Sequence, residues 1–391
     1  MALQTEKLES LLDKGFSRRQ LGRIASLLTA GSAMPLFSEH ALAQQAEQAS
    51  AARRGARAVR LSGPNVVRIS SNENPWGPCK EGLEAIIKVA PHGGYYDSEE
   101  VGQDFQKTIS ETEGVKPNYI SMHAGSSDLL HRFQCAFTSP TRSWTMANPG
   151  YGAGAPPFIG SKLVQVPLRA DYSHDVEGMI KADPNAGAYY VVNPNNPSGT
   201  LTARKDIEYL LANKPKDAIV IVDEAYIHFS DAVTVADMVA ADKDVVVLHT
   251  FSKIFGMAGL RAGYGLARPD ILAKIRQFGV GFNPVTGTAC GAASLKAAKT
   301  VVPERKALMA GIRESVFNHF DQKNYKYIRS QTNFFMVETN RPGTQVVDAM
   351  AEQGVLIGRI WPVWPTKVRV SIGTQEQMNK FMTAFDKVMS A

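Results

Sequence analysis

Lys253 and Arg261 stand eight residues apart in the stretch HTFSKIFGMAGLRAGYG, residues 249–265, with small residues and glycines between them. A lysine amine attacks carbonyl carbon and bonds to it covalently. A guanidinium beside glycine-rich backbone suits an anion such as phosphate or carboxylate. More polar residues follow apolar runs in the same way. Asp223 and Tyr226 lie in DEAY after AIVIV, Asn196 in NPNNPSGT after AYYVV, and Tyr151 in PGYG after SWTMAN. Ser252 directly precedes Lys253, and Gly125, Ser126 and Ser127 open the pattern SSDLLHRF. Singly, each has an ordinary explanation: Asn, Pro and Gly make turns, and Asp or Ser caps a helix. In combination those explanations weaken, because a carboxylate buried after an apolar strand needs a cation or strong donors, and a buried lysine needs a partner too.

The elements that must position these residues follow from periodicity. The runs SWTMAN, KLVQVPL, AYYVVN, AIVIVD, DVVVLHTF and AGYGLA read as strands. Several are apolar at every position, as in strands covered on both faces. Helical patterns alternate with them: EEVGQDFQKTISETEG, SSDLLHRFQCAF and ARKDIEYLLANK. This alternation predicts an α/β fold with a mostly parallel sheet, in which ligands collect at the C-terminal ends of the strands. After about residue 283 the texture changes to long helices around NFFMVE and KVRVSIG. We therefore expect a large domain over 80–282, a smaller α+β domain over 283–391, and a segment, 66–79, that joins the small domain.

Pyridoxal phosphate has a partner for each polar group at those strand ends. Its aldehyde takes a lysine, its ring nitrogen a carboxylate, its phenolic oxygen hydrogen-bond donors, and its phosphate a helix N-terminus, hydroxyls and an arginine. The pieces SNENPWGP, NPNNPSGT, VDEAYIHF, TFSKIFGMAGLRAGYGLA and VRVSIGT, in this order, resemble the class I/II aminotransferases of fold type I, most closely the histidinol-phosphate aminotransferase-like branch. The resemblance runs from about Ser70 to the C-terminus. It implies a large domain with a mostly parallel seven-stranded sheet, a smaller α+β domain and a homodimer. It also implies ping-pong transfer of an amino group from an α-amino acid to a 2-oxo acid through pyridoxamine phosphate.

Residue roles carry over from the resemblance position by position. Lys253 would bond to the cofactor and shuttle a proton. Asp223 would hold the ring nitrogen protonated, Asn196 and Tyr226 would reach the phenolic oxygen, and Tyr151 would stack on the ring. Gly125, Ser126, Ser127, Ser252 and Arg261 would cup the phosphate, with Thr250 beside them. Arg369, in VRVSIGT, would bind the substrate α-carboxylate; Asn74 and Arg359 would lie near substrate. In GGYYD the family carries Tyr-Pro where this chain has Tyr95-Tyr96, and Tyr95 would reach into a partner subunit's site. The same residues can also support decarboxylation, racemisation or amine oxidation.

The chain departs from the family near its C-terminus, in GVLIGRIWPVWPTKVRV. Arg359 is displaced by one place from the arginine of histidinol-phosphate enzymes, and Trp361 and Trp364 follow it. This suggests an apolar or aromatic side-chain pocket, with packing between domains as the alternative, and a free α-amino acid as substrate. Histidinol phosphate returns as the candidate if the enzyme stays in the cytoplasm.

Composition narrows the remaining classes. The net charge of +6 is not gathered in any long basic run, so no nucleic-acid partner is expected. Three cysteines, Cys79, Cys135 and Cys290, lie far apart without metal-ligand spacing, and no metal site is expected. At the N-terminus FSRRQLGR precedes IASLLTAGSAMPLF and then HALAQQ. A basic segment, an apolar segment and an A-x-A site read as an export signal, and the paired Arg18 and Arg19 resemble the twin-arginine type. Residues 1–43 would then be removed and 44–65 would be a polar linker. The enzyme would be periplasmic, exported already folded around its cofactor, with no membrane association beyond the export machinery.

Overall fold

The computed structural model describes residues 66–390, apart from 97–98, 153 and 280–281. In chain order the strands are β1 (Val67–Arg68), β2 (Ile120–His123), β3 (Ser143–Asn148), β4 (Leu163–Pro167), β5 (Ala186–Val192), β6 (Ile219–Asp223), β7 (Val245–Thr250) and β8 (Gly263–Leu266), then β9 (Tyr327–Ile328), β10 (Phe334–Glu338), β11 (Val355–Leu356) and β12 (Lys367–Ser371). The helices are α1 (Lys80–Val89), α2 (Glu99–Glu113), α3 (Ser126–Phe137), α4 (Val176–Ala182), α5 (Arg204–Asn213) and α6 (Ala236–Ala240), then α7 (Pro269–Ile275), α8 (Val285–Lys296), α9 (Ala298–Gln322), α10 (Gly343–Glu352) and α11 (Gln375–Ser390).

A seven-stranded sheet runs in the order β2-β8-β7-β6-β5-β3-β4. Its pairs are parallel except those that β8 makes with β2 and β7. Strands β5, β6 and β7 are buried at every position, which is why they read as unbroken apolar runs. Alternate residues serve two layers. Val220, Val222 and Val247 face the layer that holds Phe105 and Ile207, while Ile219, Ile221 and Leu248 face Leu129, Phe133 and Ile271. Each such side chain, taken fully out of water, contributes roughly 1.5–3 kcal/mol.

β12, β10 and β9 form an antiparallel sheet. Its Phe335 packs edge-on to Phe317 of α9 and to Phe320, and Phe320 stacks on Phe385 of α11. The segment from residue 66 crosses between the two sheets. β1 pairs in parallel with β11, Ser371 donates its amide to the Ile69 carbonyl, and the chain then runs towards Lys253. The change of sequence texture at residue 283 is not a change of packing partner. Helix α8 packs on α1 and α2, beside Phe105 and Ala262, so the chain stays with the large sheet for one helix more than its texture suggests.

Candidate active site

Strand register brings the polar residues to one edge. Val192 pairs with Asp223, and Asp223 with Leu248. Gly263 lies opposite Thr250 on one side and His123 on the other. The C-terminal ends of β2, β5, β6 and β7 are therefore level, where an open α/β sheet binds its ligand.

Asp223 ends β6 and is 3% exposed. Tyr190 donates its hydroxyl to Oδ2 at 2.7 Å, and the Ala225 amide donates to Oδ1 at 3.1 Å. Burial pushes its carboxyl above the usual range, against the pull of those two donors and of the Lys253 charge. A cationic ring nitrogen in front of it would remove that cost, which for a buried, incompletely paired carboxylate is several kcal/mol. The next residue, Glu224, accepts from His249 Nε2 at 2.7 Å, and His249 Nδ1 lies 3.1 Å from Glu113 Oε1. Burial opposes charge on His249, but Glu113 and Glu224 outweigh it and lift its pKa to about 10. Burial likewise works against ionised Glu113, yet His249 and the Tyr264 hydroxyl hold it at about 2. This cluster of one cation between two anions ties α2, β6, β7 and β8 together behind the site.

Lys253 follows β7, buried, with Nζ 3.3 Å from the Asn72 carbonyl and 5.4 Å from the centre of the Tyr226 ring. Asn72 takes a left-handed conformation, φ 54°. Its amide donates to Ser371 Oγ at 2.7 Å, and its side chain donates to the Tyr226 hydroxyl at 3.0 Å. Asn333 donates to its carbonyl at 3.1 Å. The Tyr226 hydroxyl also lies 3.4 Å from Asn196 Nδ2. Asn196 in turn accepts from Arg369 Nη1 at 2.9 Å, while Arg369 Nη2 donates to the Ser70 carbonyl at 3.1 Å. Lys253, Tyr226, Asn196 and Arg369 thus form one connected surface.

The anion cradle lies at the start of α3. Gly125 has φ 92°, and a Cβ there would stand 2.2 Å from Arg261 Nη2. The guanidinium therefore lies directly against the turn whose following amides belong to Ser126 and Ser127. Arg261 Nη1 donates to the Ala258 carbonyl at 2.7 Å and to Ser252 Oγ at 3.5 Å, and Thr250 Oγ1 donates to Ser252 Oγ at 2.9 Å. Helix-start amides, a guanidinium and two hydroxyls in one place suit a phosphate. Gly263 admits this approach: a Cβ on it would stand 2.8 Å from the Ser126 amide nitrogen.

Other expected residues fall differently. Tyr151 is partly buried and packs against the layer that holds Tyr190 and Val192, beside Asp223. Asn74 donates to the Lys253 and Ile254 carbonyls, both at 3.0 Å. Its amide braces the lysine loop. Arg359 lies half-buried, its guanidinium 5.4 Å from the centre of the Trp361 ring. Tyr95 is 74% exposed. The residues missed from sequence are Asn72, Tyr190 and Asn333. Asn72 lay in the quoted SNENPWGP, whereas Tyr190 is hidden in an apolar strand.

The chain matches the model of "Aminotransferase class I and II" over residues 64–385. It belongs to that family. Within it, the chain is 31% identical over 335 residues to a histidinol-phosphate aminotransferase of Halalkalibacterium halodurans, covering 83% of this chain and 89% of the relative. It is 30% identical over 338 residues to an aromatic amino acid aminotransferase of Cutibacterium acnes, covering 84% and 94%. The fold matches a histidinol-phosphate aminotransferase of Sinorhizobium meliloti, solved with pyridoxal 5′-phosphate, at a TM-score of 0.75 and 25% identity over 83% of this chain and 91% of that one. This aminotransferase is pyridoxal-phosphate dependent, acts on amino and keto acids, and has the fold-type-I architecture. Asp223, the Gly125–Arg261 cradle and the donors around Tyr226 fit that cofactor.

Proposed function

We propose that the enzyme moves the amino group of a free α-amino acid to a 2-oxo acid, with Arg369 gripping the α-carboxylate. One observation carries this: Arg369 is 2% exposed, its guanidinium anchored through Nη1 on Asn196 and Nη2 on the Ser70 carbonyl, in the cluster that holds Lys253 and Tyr226. A planar fork held in this way suits a carboxylate, and a lysine would not reproduce it. Bound pyridoxal phosphate supplies an electrophilic carbon and a ring that accepts electrons. Lys253 would hold the cofactor and carry a proton on its amine to and from substrate Cα. Asp223 would keep the ring nitrogen protonated, and Tyr226 and Asn196 would donate to the phenolic oxygen. Gly125, Ser126, Ser127, Ser252 and Arg261 would seat the phosphate, and Tyr151 would contact the ring.

Trp361 beside Arg369 favours an apolar or aromatic side chain over a phosphate ester. Turnover of a panel of free amino acids, set against histidinol phosphate, tests this; preference for the ester overturns it. The same proposal includes a homodimer in which Tyr95 enters the partner's site. It is supported by the exposure of Ile87, Tyr95, Tyr96 and Phe282 on this chain, and sedimentation of the purified enzyme as a monomer would refute it. It also includes export by the N-terminal signal, whose residues lie outside those described. Sequencing the mature N-terminus tests that part, and an intact residue 1 counts against it.

A further inference from the structure

Trp361 is buried, yet its ring faces charge. Its centre lies 5.6 Å from the guanidinium carbon of Arg369 and 5.4 Å from that of Arg359. Its indole N–H donates to the Gly150 carbonyl at 3.1 Å, one residue before Tyr151. The backbone that carries it is fixed by an antiparallel bridge to Trp364, whose amide donates to the Trp361 carbonyl at 2.9 Å. Trp364 meets Tyr172 edge-on at 5.6 Å. The Arg369 guanidinium also lies 5.6 Å from the Phe334 ring, which meets the Tyr226 ring edge-on at 4.9 Å.

We infer that Trp361 is the positioning residue for Arg369: its ring holds the guanidinium in the plane that receives the substrate carboxylate, and its indole N–H ties that plane to the loop bearing Tyr151. This deepens the proposed function and rests on Arg369 binding the α-carboxylate. Hydrogen bonds to Asn196 and Ser70 fix where the fork lies. The faces of Trp361 and Phe334 attract the cation and limit the tilt. A fork oriented beforehand loses less freedom when substrate arrives, so the effect falls on binding of the carboxylate. The Gly150 contact ties Arg369, through Trp361, to the loop bearing Tyr151.

The test uses the holoenzyme and compares an α-amino acid with the amine that lacks its carboxylate. Dissociation constants are read from the absorption change of the bound cofactor. Trp361→Leu removes the ring and the N–H, and it should weaken the amino acid about tenfold while leaving the amine unchanged. Trp361→Phe keeps a ring, and it should recover part of that loss, to about threefold. Equal weakening of both ligands, or of neither, overturns the inference. Should the leucine variant fail to fold, the phenylalanine variant decides by the same comparison. Arg369→Lys separates the two levels of the argument. If it leaves the preference for amino acid over amine intact, the carboxylate role of Arg369 fails. If it abolishes that preference while Trp361→Leu leaves it undiminished, only the role of Trp361 fails.

Discussion

Gly125→Ala separates cofactor binding from folding. Residue 125 has φ 92° and ψ 164°, a region essentially reserved for glycine, where a side chain costs about 1–3 kcal/mol. The new Cβ would stand 2.2 Å from Arg261 Nη2 and 2.9 Å from its central carbon, so the guanidinium must move. It is the far end of a long side chain and can swing away without shifting the sheet. What it loses is its place beside the α3 amides and its bond to the Ala258 carbonyl. A charge-assisted bond to phosphate is worth about 1.5–3 kcal/mol, so cofactor affinity should fall by about ten- to a hundredfold. The apoprotein should be destabilised only by the backbone strain and the lost bond from Arg261 to the Ala258 carbonyl. Titration of apoprotein with pyridoxal phosphate gives the first quantity, and thermal melting of the same apoprotein gives the second. Wild-type cofactor affinity in the variant would refute the cradle as described.

Two further outcomes follow from the charges at the strand ends. His249 has a folded pKa raised from 6.5 to about 10. Its contribution to stability is complete below pH 6.5 and disappears as pH rises through about 10. His249→Gln should therefore be destabilised most just below pH 6.5, less as pH rises towards 10, and should lose the alkaline fall in melting temperature; an unchanged alkaline profile contradicts the cluster. Asp223→Asn keeps the size and an acceptor for Tyr190 but removes the charge that faces the ring nitrogen. Its turnover should fall on the order of a hundredfold or more with the cofactor still bound, and near-normal kcat would exclude the role given to Asp223.

Much of the large sheet was legible because β5, β6 and β7 are covered on both faces and hence apolar throughout. Polar residues directly after such strands stand out, and that contrast exposed Asp223, Asn196 and the Ser252-Lys253 pair. The rest was hidden for identifiable reasons. β2, ISMH, is short and only half-buried at its centre, so no apolar run marks it. Helix α8 is made mostly of small residues and packs against α1 and α2, and it shows no narrow apolar stripe. The texture change at residue 283 therefore precedes the change of packing partner. Asn72 looks like a turn residue, and only the tertiary approach of Ser371, Asn333 and Tyr226 reveals its place under Lys253. Asn74 stands two residues away in the same motif, yet its amide points at the lysine loop's backbone. Tyr190 sits within the apolar run AYYVV, and its hydroxyl acquires meaning only once β5 and β6 are in register.

The central claim is that Lys253, with Asp223 behind the ring and Arg261 at the phosphate, forms a working pyridoxal-phosphate site. Visible absorption of the purified protein, before and after adding amino acids singly and beside a Lys253→Ala variant, tests it most directly. The lysine-bound cofactor should absorb in the visible, the variant should lack that band, and some amino acids should convert the wild-type spectrum to that of pyridoxamine phosphate while releasing a keto acid. A protein that stays colourless after reconstitution with pyridoxal phosphate, or a Lys253→Ala variant that keeps the band, would contradict it.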